Sequence, residues 1–202
     1  MICHTDHYHY LAWKQLADGL GIEFDEKINN RLRGVSRMDS LEIIIEKWSG
    51  KPFSLEEKLS FAEEKNEIYK ELLKKMSTKD LSNEVKETLE QLRTRGLLLA
   101  IGSSSKNTRF ILKQIGLGEF FDAISDGNNI TKSKPDPEVF LKAAEYLELE
   151  ANECLVIEDA RAGIDAAGAA GMKSAAIGDA FGYSGATYHL STFSELIKIC
   201  GS

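Results

Sequence analysis

Four short stretches carry side chains suited to holding an anion or a metal ion. Ser103-Ser104-Ser105-Lys106-Asn107 closes the apolar run 97–103 and leads into a helix, so hydroxyls, backbone N–H groups and an ammonium can converge on a phosphate. A capping Ser105 with a solvated Lys106 is the plainer alternative. Lys134 precedes Pro135, which biases the residue before it toward an extended backbone and aims the lysine from a stiff connection. It would there neutralise a transferring phosphoryl group, or simply be a surface lysine. Glu158-Asp159 ends the apolar run CLVI, where adjacent carboxylates serve either as hard oxygen ligands for Mg2+ or as caps of the next helix. Arg33-Gly34-Val35-Ser36-Arg37 sets two guanidinium groups around a glycine turn, as an anion clamp would, although a solvated loop reads the same way. His4, His7 and His9 do not form a metal pattern: His7 and His9 fall on different helical faces, and no cysteine or carboxylate completes the set.

The elements that must position these groups divide into two regions. Between residues 6 and 76 the pattern is helical throughout. Tyr8, Leu11, Ala12, Leu16 and Leu20 make one stripe, and Asp25 caps a short helix that should end near Gly34. Met38, Leu41, Ile44, Ile45 and Trp48 make another stripe, and Ser54 with Glu57 forms a capping box opening a long charged helix through Leu73. From residue 77 onward, apolar runs at 97–103, 121–126, 154–159 and 174–179 alternate with helices, the pattern of a mainly parallel α/β sheet. Lys134 follows the run 121–126 within one loop, and two of the four chemical stretches fall where such runs end. In open α/β sheets that is where ligands bind. The division expected is therefore a helical domain over 6–76 and a core formed by 1–5 with 77–202.

Bulk properties narrow the function. With 202 residues the chain can bury a substantial core, and a formal net charge of −7 argues against a nucleic-acid partner. Cys3, Cys154 and Cys200 suggest neither a disulfide framework nor a zinc site. No stretch is apolar enough for a membrane span or a secretory signal, so a cytoplasmic protein without a membrane partner is expected.

Taken in order, S-x-S-K-N at 103–107, S-K-P at 133–135 and E-D-x-x-A-G-I at 158–164 resemble the haloacid dehalogenase superfamily. T-x-x-Y-H-x-x-A-W-K at 5–14 and R-G-V-S-R-x-D-S-L at 33–41 narrow the resemblance to its β-phosphoglucomutase family. It spans essentially the whole chain. The resemblance implies a Rossmann-like core with an inserted helical cap, acting as a monomer on a sugar phosphate with Mg2+. It implies that Ser103 and Lys134 hold the transferring phosphoryl group, that Glu158 and Asp159 hold the metal, and that His9 assists proton handling or sugar binding. Arg37, with Ser105, Lys106 and Asn107 and alongside Ser104, would hold the other phosphate. Arg33 flanks the Gly34-Val35-Ser36 turn, which would approach the sugar on cap closure; Lys65 would reach the substrate and Thr5 would lie at the hinge. The family's D-x-D-G motif, which carries the nucleophile and the general acid/base on a central strand, is expected immediately before Met1. The parent activity implied is interconversion of β-glucose 1-phosphate and glucose 6-phosphate, with a sugar-phosphate phosphatase or an inactive phosphosugar-binding remnant as alternatives. The chain as written is expected to turn over little.

Overall fold

The structure, a computed structural model, describes residues 2–3, 5–32 and 36–201. Arg33, Gly34 and Val35 of the expected clamp, and His4, lie outside the described residues. The chain divides into two compact units, one of Met1–Cys3 with Ser77–Ser202 and the other of His4–Met76.

The His4–Met76 unit holds α1 (Asp6–Gly19), α2 (Glu26–Asn30), α3 (Arg37–Ile45) and α4 (Leu55–Leu73). Its core gathers Trp13, Leu16 and Ala17 from α1, Phe24, and Leu41 and Ile44 from α3. Burying apolar faces drives this association, since helices this short are marginal alone. Two helix starts are fixed by side chains. Asp25 accepts a hydrogen bond from Ile28 N at 2.8 Å, and Ser54 and Glu57 form the reciprocal capping box that opens α4. The short helix nevertheless ends at Asn30, not near Gly34. Arg31 N donates to Ile28 O and Leu32 N to Asn29 O, both at 3.0 Å, three-residue closures that tighten the last turn and end the helix there. Trp48 also departs from its expected stripe. It lies beyond α3, donates Nε1 to Lys51 O at 3.0 Å and stacks on Phe53.

The other unit alternates helices and strands: α5 (Asn83–Thr94), β1 (Ala100–Gly102), α6 (Thr108–Gln114), β2 (Ala123–Ser125) and α7 (Glu138–Tyr146) come first. There follow β3 (Leu155–Glu158), α8 (Arg161–Ala169), β4 (Lys173–Ile177), β5 (Tyr188–Leu190) and α9 (Leu196–Ile199). Each strand pairing is parallel. Among the described residues the strands form two sheets, β1-β2 and β3-β4-β5, with no ladder between β1 and β3. Val139, Phe140 and Ala144 of α7 pack with Val156 of β3 and with Ala166 and Ala167 of α8, burying the helix faces against the strands. Gly96 and Gly171 adopt φ of 79° and 74° just past α5 and α8, the left-handed conformation that stops a helix cheaply only in glycine. The sequence pattern misses β5 and α9. β5 has only three residues, with His189 exposed and Leu190 buried, so it makes no apolar run.

Candidate functional site

In the α/β unit, the ends of β1 and β3 are joined by one side chain. Lys134 Nζ donates to Gly102 O at 3.2 Å and to Glu158 Oε2 at 2.9 Å. The Lys134 side chain is 14% exposed and that of Glu158 12%, so this lysine is not a solvated surface group. Phe140 supports it from α7, with the ammonium 4.7 Å from the ring centroid. Glu158 is seated by a close approach: a Cβ at Gly163 would fall 2.1 Å from Glu158 Cγ, so only glycine leaves the carboxylate its place. Neither Glu158 nor Asp159 is the cap of α8, whose N-cap is Ala160 without a side-chain cap bond.

The stretch after β1 is tied by its own hydroxyls. Ser105 N donates to Ser103 Oγ and Asn107 N donates to Ser105 Oγ, each at 3.2 Å. Such bonds satisfy backbone donors locally and curl the chain into successive turns. The N-cap of α6 is Asn107, so Ser105 shapes the loop and does not cap the helix. The turn after β2 braces this loop, since Gly127 N donates to Ser105 O at 3.2 Å and Asn128 Nδ2 to Lys106 O at 3.0 Å. A side chain at Gly127 would collide with Ser104 O at 2.4 Å. Ser104 and Lys106 keep exposed side chains.

The helical unit carries a second basic cluster. Lys65 of α4 is buried, at 3% exposure, with Nζ 2.8 Å from His9 Nδ1 of α1. The ammonium lies 4.9 Å from the centroid of Trp13 and 4.7 Å from that of Tyr69, and His9 stacks on Tyr69 at 4.0 Å. Burial, then the Arg37 guanidinium, pushes the Lys65 pKa down to about 7. Burial, then Lys65 and Arg37, likewise holds His9 well below the usual imidazole range. Arg37 opens α3, donates to Asn66 Oδ1 at 2.9 Å and lies 3.7 Å from Glu63 Oε2. Ser36 is spent as the N-cap of α3, accepting from Asp39 N and donating to Asp39 Oδ2. Thr5 is the N-cap residue of α1, without a side-chain cap bond.

The structure thus brings Lys134 to Glu158, with Ser103 directly after Gly102, and separately brings His9 to Lys65. The sequence reading missed the groups that hold these in place. Trp13, Asn66 and Tyr69 lie against the cations of the helical unit. Asp126, at the end of β2, is buried and organises the brace through Asn128, whose N and Nδ2 both donate to its Oδ1. Glu138 accepts from Thr131 N at 2.9 Å and Lys132 N at 2.7 Å, pinning the turn that leads to Lys134. These backbone bonds lower the Glu138 pKa to about 2. Asp126 sits in the strand-end position that drew attention to Glu158-Asp159, and that placement was the available signal.

Mg2+ suits the donor set. It takes one or two protein carboxylates and completes its shell with waters and phosphate oxygens, and Glu158 and Asp159 are hard oxygen donors of the type it would take. Among the described residues no group of three or more His, Cys, Asp or Glu side chains is arranged to hold a metal.

Residues 2–177 match the family model for haloacid dehalogenase-like hydrolases. The chain belongs to that family. It is 38% identical over 179 residues to β-phosphoglucomutase of Bacillus subtilis, covering 88% of this chain and 79% of that protein. It is also 30% identical over 176 residues to the fructose-1-phosphate phosphatase YqaB of Escherichia coli, covering 86% and 89%. The crystal structure of β-phosphoglucomutase from Clostridium difficile superposes with a TM-score of 0.88 at 36% identity, covering 99% of this chain and 92% of that one. The haloacid dehalogenase-like fold, with parallel strands flanked by helices, is therefore shown both by its elements and by its relatives.

Proposed function

We propose that this chain belongs to a β-phosphoglucomutase, a cytoplasmic phosphotransferase interconverting β-glucose 1-phosphate and glucose 6-phosphate. The observation that carries the proposal is the Lys134 bridge between the ends of β1 and β3. Phosphoryl transfer is mainly positioning and charge stabilisation, and an ammonium fixed at Gly102 O, one residue before Ser103, serves both needs. In this reading Ser103 donates a hydrogen bond to the transferring group and Lys134 offsets its charge. Within the α/β unit the loop 104–107 offers Ser104 and Lys106 to a phosphate, and within the helical unit Arg37 offers a guanidinium. Lys65 and His9 meet the sugar. Mg2+, when bound, is held by Glu158 and Asp159 and offsets charge on the phosphoryl oxygens. Glu158, committed to Lys134 and the metal in this reading, is not the carboxylate that accepts the phosphoryl group.

A hydrolytic reading is favoured by the phosphatase relative at 30% identity. Phosphorus NMR separates the two. The chain joined to an apolar strand ending in D-x-D-G is supplied with Mg2+, β-glucose 1-phosphate and a trace of glucose 1,6-bisphosphate. Glucose 6-phosphate without matching inorganic phosphate is the expected result. Inorganic phosphate as the main product would establish the phosphatase, and an unchanged substrate would refute both.

A further inference from the structure

The Lys65–His9 pair has a property that phosphosugar recognition alone does not require. Both groups are bases, they are 2.8 Å apart, and the ammonium site is 3% exposed. The groups facing it come from three helices. α1 supplies His9 and the Trp13 ring, α3 supplies Arg37, and α4 supplies Tyr69 and Asn66. Among the described residues no carboxylate forms an ion pair with Lys65. The acid in the neighbourhood, Glu63, is exposed and lies 3.7 Å from Arg37. A buried ammonium without a counter-charge is costly, and the cheaper state is a neutral amine.

We infer that Lys65 is a proton-coupled recognition residue: the free cap holds it largely as the neutral amine above neutral pH, and binding of an anionic phosphosugar draws one proton from solvent onto Nζ. The ligand supplies the counter-charge that no carboxylate among the described residues provides. The new ammonium donates one N–H to His9 Nδ1, whose ring stays neutral, and keeps its other N–H groups for ligand oxygens. Aromatic faces at 4.9 and 4.7 Å stabilise the cation without neutralising it beforehand. The depressed basicity of Lys65, at about 7, agrees with this geometry. The inference rests on the phosphosugar reading above, and it adds proton uptake to it.

Isothermal titration of the 202-residue chain with glucose 6-phosphate at pH 8 tests it. At that pH a phosphate monoester, with its second pKa of about 6, is already a dianion and takes up no proton itself. Titrations in Tris and in HEPES, which differ in ionisation enthalpy, give the number of protons taken up as the slope of observed heat against buffer heat. The expected slope corresponds to nearly one proton, with Kd rising about tenfold from pH 8 to pH 9. Lys65→Arg, permanently charged, should bind with a slope near zero. Lysine Cε carbon-13 shifts follow Lys65 directly in the unmodified chain, and they should move from amine to ammonium on binding. Binding with zero slope and an unmoved Lys65 signal overturns the coupling alone. An undiminished slope in Lys65→Arg also overturns it. Absence of glucose 6-phosphate binding overturns the phosphosugar reading together with the coupling.

Discussion

Lys134 and Lys65 are both largely buried, yet the two units hold them differently. Lys134 bridges a backbone carbonyl and the Glu158 carboxylate, so its charge is matched inside the α/β unit. Lys65 meets an imidazole, two aromatic faces and the field of Arg37, so its charge is unmatched inside the helical unit. The α/β unit spends a carboxylate to fix a cation permanently. The helical unit leaves its cation to be completed by a ligand. A matched pair contributes position, while an unmatched base contributes a dependence on pH and on what is bound.

Breaking the matched pair should have the largest effect. Lys134→Met leaves Glu158 without its cation and should cost about 3 kcal/mol of stability, read from urea denaturation of the α/β unit. The same substitution at Lys65 should act in the opposite direction. Lys65→Met removes a buried base and should stabilise the helical unit by about 1–2 kcal/mol at pH 7. The sign with pH follows from the lowered basicity. Between pH 7 and about 8.5 the unfolded chain binds more protons at Lys65 than the folded chain does, so wild-type stability should rise across that window, before the raised thiols of Cys3, Cys154 and Cys200 act in the opposite direction. Lys65→Met should flatten the rise, and a rise that persists would assign it to another group.

Smaller effects separate helix formation from the cation sites. Ser54→Ala removes the capping box of α4 and should cost about 1 kcal/mol while leaving the pH dependence unchanged. Glu138, held near pKa 2 by the Thr131 and Lys132 amides, should keep its turn closed down to acid pH. Its contribution is fully present above the unfolded carboxylate pKa of about 4.3 and is lost as pH falls from there through about 2. Faster amide exchange at Thr131 and Lys132 in Glu138→Gln at neutral pH would show the same clamp.

Much of this was legible before the structure. Ser54 and Glu57 announce a capping box by type and spacing, and the apolar runs ending in Ser103 and Glu158 announce strand ends. Such signals are local, and local chemistry survives folding. Long-range partnerships were not legible. Glu158 finds Lys134 across 24 positions, and His9 finds Lys65 across 56, so nothing in either neighbourhood names the other. Gly163 looked like part of a motif, and only the close approach to Glu158 gives its physical reason. Trp13 and Tyr69 fit the apolar faces of their helices, which concealed their position beside a buried amine. The end of α2 was misplaced because the backbone tightens into three-residue closures at Arg31 and Leu32, before the glycine is reached.

If the ends of β1 and β3 form one phosphate-handling site, amide NMR of the 202-residue chain titrated with Mg2+ and inorganic phosphate tests it most directly. Shifts concentrated at residues 103–107, Lys134, Glu158 and Asp159, weakened by Gly163→Ala, are the predicted result. Saturable shifts elsewhere, with these residues unmoved, would contradict it.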